Sequence, residues 1–171
     1  MTPMLRRKVW GAAAGGAIAI AGALLGGHDG LEGRQYTAYY DVAGVLTLCD
    51  GHTGNDIIRG KHYSDLECDA LLQRDLQPVK KWVDSAVKVP LGDHTRAALY
   101  SFTYNVGYTA FIHSTLLKKL NSGDIPGACD ELRRWIIAGG QRWQGLINRR
   151  EIERELCLMP PRMLMKTTEG E

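Results

Sequence analysis

The sequence predicts an α+β fold in which a small N-terminal β lobe sits on a mainly helical body. Two observations predict it. One hairpin pattern lies close to the N-terminus, and a series of capped, helically spaced apolar stretches follows it. A length of 171 residues allows one domain with a real core and is too short for two comfortable ones.

The first element is a segment set apart by composition. Arg6, Arg7 and Lys8 precede an uncharged run from Val9 to Gly27. As one helix this run is roughly 28 Å long, about the thickness of a bilayer's hydrocarbon core. Its large aliphatic residues are only Val9, Ile18, Ile20, Leu24 and Leu25, and nearly all the rest is Ala or Gly. Five such residues favour insertion by on the order of 2 kcal/mol. The segment is therefore long enough to span and barely apolar enough to stay. The basic flank predicts a cytoplasmic N-terminus with everything after Gly27 outside. A cleaved signal peptide is an equal reading, because Ala21-Gly22-Ala23 offers a small-x-small site.

His28 to Gly33 reads as a Gly-rich joint. Arg34 to Leu48 is rich in Tyr, Thr and Val around a turn at Asp41 to Gly44, which predicts a hairpin, and Gly51-His52-Thr53-Gly54 marks a second turn. Ser64-Asp65-Leu66-Glu67 fits a capping box, with Leu66, Leu71, Leu72 and Leu76 as the stripe of the helix it opens. Pro90 breaks the chain. Asp93 is the expected cap of a helix carrying Ala97, Ala98, Tyr100 and Phe102 toward Gly107. Ser114 can start a short helix. Asp124 can start another, with Pro126 in its first turn and Leu132, Trp135 and Ile136 as its apolar stripe. A last helix is expected near Gly145 to Leu158. The expected division is a membrane segment over 1–27, a globular body over 28–159 and a flexible tail over 160–171.

Composition excludes several classes. Hydrophobic residues at 44% and charged residues at 23% are ordinary globular values that argue against disorder. The net charge of +2 comes without a basic stripe interleaved with aromatics, so no nucleic-acid partner is expected. A weakly cationic surface suits an anionic polymer such as a cell wall. All four cysteines, Cys49, Cys68, Cys129 and Cys157, follow the N-terminal segment, and an even number in an exported chain predicts disulfides. Four cysteines allow three connectivities. The expectation is the two local pairs, Cys49 with Cys68 and Cys129 with Cys157. No C-x2-C spacing occurs, so neither a zinc site nor any other cofactor is expected.

Breaking a glycosidic bond takes an acid that protonates the leaving oxygen and a carboxylate that activates water or attacks carbon. Glu32 and Asp41 flank a presumed strand, and Thr47 follows across the hairpin. Taken alone, these are a loop carboxylate, a turn residue and a strand residue in a chain with 19 acidic side chains. The spacing Glu-x8-Asp-x5-Thr, with Gly33 after the Glu and Gly51-His52 downstream, resembles the phage T4-type lysozymes of glycoside hydrolase family 24. The wider chain resembles lambdoid-phage endolysins of the signal-anchor-release kind. Asp29-Gly30-Leu31-Glu32-Gly33, Leu99-Tyr100-Ser101-Phe102, Tyr104-Asn105-Val106-Gly107, Ser114-Thr115-Leu116-Leu117 and Arg149-Arg150-Glu151-Ile152-Glu153 carry the match.

The resemblance implies a lysozyme-like α+β fold behind a signal-anchor helix. It also implies hydrolysis of the β-1,4 bond between N-acetylmuramic acid and N-acetylglucosamine in peptidoglycan, with inversion. Glu32 is then the general acid, and Asp41 and Thr47 position the attacking water. His52 and Asp75 form a structural ion pair, Asn105 lines the sugar cleft, and Arg149 or its neighbour Arg150 orients Glu32. Read without the resemblance, Asn105 is a turn former and both arginines lie on a solvated helix face. The resemblance further implies an enzyme held by residues 9–27 in the host inner membrane and later soluble in the periplasm as a monomer, with possible dependence on a holin. Relatives that activate by disulfide exchange carry a cysteine in the anchor. This chain has none before Cys49, which favours refolding of the released segment. A lytic transglycosylase, which needs only the acid, and a catalytically idle wall-binding protein are the alternatives. Retention of Asp41 and Thr47 argues against both.

Overall fold

The computed structural model describes residues 1–160, so the expected tail from residue 161 onward lies outside the described residues. The N-terminal segment, expected as one rod, is broken. Helix α1 (Pro3–Gly11) and helix α2 (Gly16–Leu25) are separated by a single 3-10 turn over Ala13–Gly15. The break sits at Gly16, whose φ of 74° is open to glycine and strained for other residues. Lys8 donates to the carbonyl of Gly26 just past the end of α2, so α1 folds back along its neighbour. Among the described residues no single helix is long and apolar enough to cross a membrane.

Helix α4 (Asp93–Val106) lies at the centre of the body. Its residues from His94 to Thr103 are almost all buried, as expected of a helix covered on every side. Helix α2 packs on it from the N-terminal side and helix α8 (Gln144–Cys157) from the C-terminal side. Val9, Ile20, Leu24 and Leu25 of the membrane-type segment are fully buried in one core with Leu76, Ala97, Leu99 and Phe102. Three glycines permit the close approach. A β-carbon at Gly22 would lie 2.6 Å from the Gln73 side chain, one at Gly26 2.7 Å from Leu72, and one at Gly30 2.2 Å from the carbonyl oxygen of Leu25.

The β lobe is the expected hairpin. Strand β1 (Gln35–Tyr40) pairs antiparallel with β2 (Leu46–Cys49), with Tyr39 opposite Thr47 and an irregularity between Gln35 and Tyr39. Its underside packs Tyr36 and Ala38 against a small core of Leu48, Cys49, Tyr63 and Cys68. Helix α3 (Asp65–Ala86) joins lobe to body and starts with the capping box between Ser64 and Glu67. Leu72 and Leu76 face the core as expected, but Leu66 is 81% exposed. It sits in the first turn, before the helix has reached the body.

Helices α5 (Tyr108–Ile112), α6 (Thr115–Asn121) and α7 (Ile125–Glu131) complete the body, the last two capped by Ser114 and Asp124 as expected. Two local expectations are corrected. The cap of α4 is Gly92, and Asp93 lies inside the first turn, where its charge still complements the helix dipole. Helix α7 stops at Glu131, and Leu132–Arg134 forms a 3-10 turn. Ile136 therefore belongs to no helical stripe. It precedes a short hairpin of β3 (Ile137–Ala138) and β4 (Gln141–Arg142), turned by Gly139 and Gly140, both at positive φ.

Both disulfides are the local pairs. Cys49–Cys68 ties the lobe to the start of α3, and Cys129–Cys157 ties α7 to the end of α8, with Cα–Cα distances of 5.2 and 5.8 Å.

Burial of the N-terminal segment makes a direct prediction. Leu24→Ala should lower the urea-unfolding stability of the purified protein by about 2–5 kcal/mol, as for any large core truncation. An unchanged midpoint would mean that α2 is not part of the core in solution.

Candidate active site

Glu32 lies where the chain doubles back on α2. Leu31 and Glu32 donate their backbone N–H groups to the carbonyls of Leu24 and Leu25, at 3.0 and 3.2 Å. These are among the last carbonyls of α2, which have no partner within the helix. The Glu32 side chain is 16% exposed. Its Oε1 accepts a 2.6 Å hydrogen bond from Nη1 of Arg149, so of the two candidate arginines it is Arg149 that touches Glu32.

A closed charge network stands behind this contact. Glu153, fully buried one turn along α8, accepts from Arg149 Nε at 3.0 Å, from Ser101 Oγ at 2.7 Å and from Arg150 Nη1 at 2.7 Å. Arg149 also donates to the Ser101 carbonyl, and Arg150 donates to the Trp135 carbonyl and to Oδ1 of Asn105. Two cations thus face two carboxylates, which makes their joint burial tolerable. Burial pulls the Arg149 guanidinium down, but the charges of Glu32 and Glu153 outweigh it and hold it above its ordinary value. Arg150 ends below its ordinary value, first through burial and then through the neighbouring charge of Arg149. Glu153 and Ser101 were not singled out from sequence. The four-residue spacing of Arg149 and Glu153 on one helix was the available signal.

Asp41 sits at the hairpin turn. Its Oδ1 accepts from the backbone N–H groups of Ala43 and Val45, at 2.9 and 2.8 Å. Thr47 is buried on β2 and donates to the Val45 carbonyl at 3.0 Å. Tyr39 stands opposite Thr47 in the register. Its phenol is raised by burial and then by the negative charges of Asp41 and of Glu32.

On the other side of Glu32 runs a tight turn. Leu48 and His52 exchange backbone hydrogen bonds, and between them Cys49 holds a φ of 54°, a left-handed geometry costly for a non-glycine residue. Gly51 faces Glu32, and a β-carbon there would lie 3.5 Å from Oε2. Tyr104 donates to the Asp50 carbonyl at 2.8 Å, and its phenol is pushed up by burial and by the charge of Glu32. Gly51, Thr53, Asp75, Val79 and Tyr104 line a cavity of about 270 Å³. Asn105, expected in the cleft, is exposed at the end of α4 and is held by Arg150.

His52 is buried between two acids, with Nδ1 2.7 Å from Asp75 and Nε2 3.0 Å from Asp56. The expected pair with Asp75 is therefore one arm of a larger network, because Arg74 donates to Asp56 at 2.7 Å.

The phage lysozyme family profile matches residues 29–153. The chain belongs to the phage lysozyme family. It is 56% identical over 161 residues to the "SAR-endolysin" of Bacteriophage PS119, a match covering 92% of this chain and 96% of that one. The "SAR-endolysin" of Enterobacteria phage P21 is 55% identical, with 92% and 98% covered. A solved structure of P22 lysozyme superposes with a TM-score of 0.69 at 36% identity, covering 75% of this chain and 90% of that one. As a member of the family this protein is an endolysin, a lysozyme that degrades peptidoglycan.

The Arg74 contact sets a testable titration. Its hydrogen bond, followed by that of His52, holds the Asp56 carboxyl at about 2, below the ordinary value. A depressed carboxylate contributes stability that is present above roughly pH 4 and is lost as pH falls toward the folded value. Arg74→Ala should return Asp56 toward the ordinary carboxylate range, read by carbon-detected NMR titration. An unmoved Asp56 would show that Arg74 does not hold it.

Proposed function

We propose that Glu32 is the general acid that protonates the leaving oxygen of the β-1,4 bond between N-acetylmuramic acid and N-acetylglucosamine. The observation that most supports this is the Arg149–Glu32 hydrogen bond in a site where nearly every other polar group serves the fold. A carboxylic acid that gives up its proton becomes an anion, and a guanidinium already seated against it stabilises that anion as it forms. Glu153 keeps Arg149 and Arg150 in place while offsetting their charge, so Arg149 acts as a positioning residue.

Asp41 and Thr47 take the opposite face of the sugar. The Asp41 carboxylate is fixed by its turn, with Oδ1 occupied by two backbone donors, and the Thr47 hydroxyl can still accept while it donates to Val45. Together they can hold one water for attack on the anomeric carbon. Displacement by water opposite the leaving group inverts that carbon, which requires roughly 6.5–9.5 Å between the two carboxyl groups. Asn105 contributes to the cleft wall, and His52 with Asp75 keeps the adjoining turn in shape.

Glu32→Gln should leave the fold and both disulfides intact while reducing clearing of purified cell walls at least 1,000-fold, because an amide has no acidic proton to give. Asp41→Asn should also cripple turnover. NMR of products released early in the reaction should show the α-anomer first. Near-normal clearing by folded Glu32→Gln enzyme would reassign the acid.

The membrane reading belongs to the same proposal. Residues 9–27 first cross the inner membrane with the body in the periplasm, and the released segment then forms α1 and α2 beneath Glu32. The enzyme acts afterwards as a soluble periplasmic monomer, and the timing of release can depend on a holin. The support is physical. Leu31 and Glu32 are fastened to the carbonyls of Leu24 and Leu25, so Glu32 is brought to the body by the packing of α2 in the core. Gly11 and Ala14 are exposed, and a β-carbon at Gly11 meets nothing within 4 Å, so leucine there adds apolarity without disturbing the core. Gly11→Leu with Ala14→Leu should keep the protein in the membrane fraction and delay lysis. Lysis on the normal schedule, or a mature chain beginning near Leu24, would replace release by ordinary signal cleavage.

A further inference from the structure

The loop that carries Glu32 is held at both ends by one buried carboxylate outside the Glu-Asp-Thr set. Asp50 is 1% exposed and lies in the tight turn between Cys49 and Gly51. Its Oδ1 accepts the backbone N–H of Gly27, the first residue past the cap of α2, at 3.1 Å. The same carboxylate takes the fork of Arg34, with Nη2 2.6 Å from Oδ2 and Nε 3.1 Å from both oxygens. Gly27 and Arg34 bracket Glu32. Between them Leu31 and Glu32 bond to the end of α2, Gly30 bonds back to Gly27, and Arg149 holds the Glu32 side chain.

The remaining contacts make Asp50 a clamp rather than filler. Arg34 has further acidic partners, Asp65 at 2.8 Å and Asp69 at 2.6 Å, so its burial does not depend on Asp50 alone. The Gly27 N–H is given to Asp50, so it is the arm of the clamp that depends on this carboxylate. The next residue, Gly51, lies against the Glu32 carboxylate, and Tyr104 fixes the Asp50 carbonyl. A shift of Asp50 therefore moves both ends of the loop and one wall beside Glu32.

We propose that Asp50 is a positioning residue for catalysis, clamping Gly27 and Arg34 so that Glu32 is set against Arg149 only when α2 is docked. The proposal rests on the reading of Glu32 as the acid. With α2 displaced, Gly27 leaves Asp50 and the loop is held at the Arg34 end alone. Glu32 then keeps its chemistry and loses its place, which lowers turnover more than substrate affinity.

Asp50→Asn tests this in the purified full-length soluble enzyme. The amide keeps one acceptor oxygen and turns an NH₂ toward either Arg34 or Gly27, so one arm of the clamp is lost in each orientation. With defined peptidoglycan oligosaccharides, well below the unfolding midpoint, kcat should fall at least ten-fold with KM within two-fold. The Leu31 and Glu32 amides should exchange with solvent at least ten-fold faster. Leu120→Ala, a core truncation on α6, serves as the comparison and should lower stability while leaving kcat and both amides within two-fold of wild type. If Asp50→Asn does not fold, Arg34→Lys, which keeps the cation and loses the fork, is read by the same criteria. Turnover within two-fold, unchanged amide exchange, or loss expressed wholly in KM would overturn the clamp. Inactive Glu32→Gln together with fully active Asp50→Asn would sink this inference alone, whereas active Glu32→Gln would sink the acid assignment beneath it.

Discussion

Two backbone hydrogen bonds, from Leu31 to Leu24 and from Glu32 to Leu25, fasten the site to a helix whose composition is that of a weak membrane span. Much else follows from that attachment. Helix α2 has to present a narrow face, because α3 and α4 close over it and Gly30 must pass beneath its last carbonyls. It also has to supply Leu24 and Leu25 to the core, since a helix of Ala and Gly alone would bury too little apolar surface to hold. Sparse leucines at one end and small residues elsewhere satisfy both demands. The same pattern makes the segment a poor permanent anchor.

The electrostatics follow the packing. Arg149, Arg150 and Glu153 reach the site from α8, which packs on α4, and Glu32 approaches from the end of α2. Each set of charges is incomplete alone. A buried Arg149 without Glu32 would lose one of its two counter-charges in a place with little water to replace it. Docking of α2 therefore completes a charge balance as well as a hydrophobic core, and the two contributions cooperate.

Sequence reading succeeded where the signal was local. The capping box at Ser64, the caps at Ser114 and Asp124, the hairpin about Asp41 and both disulfide pairs depend on near neighbours and were legible. Reading failed where distant contacts decide. Leu66 fits a helical stripe but lies beyond the reach of the core, and Ile136 continues the pattern of α7 until the Gly139-Gly140 turn overrides it. For the site, spacing and family likeness drew attention to Glu32, Asp41 and Thr47. The partners of Glu32 were harder to see. The choice between Arg149 and Arg150 depends on the rotation of α8 by one residue, and Asp50, one of 19 acidic residues, stands beside the Gly51-His52 turn without a pattern that marks it.

The close seats of Gly22, Gly26 and Gly30 also bear on how the gene can vary. A side chain at Gly26 or Gly30 would collide with Leu72 or with the Leu25 carbonyl, and one at Gly22 would have to displace the end of Gln73. Enlargement at these positions is thus coupled to loss of the close packing of α2 on the body. Tolerance is concentrated instead at exposed sites such as Gly11 and Ala14, where hydrophobicity can rise or fall without touching the core. Change in the composition of this segment therefore has a small set of positions on which to act, where α1 gives way to the 3-10 turn and away from everything that shapes the cleft.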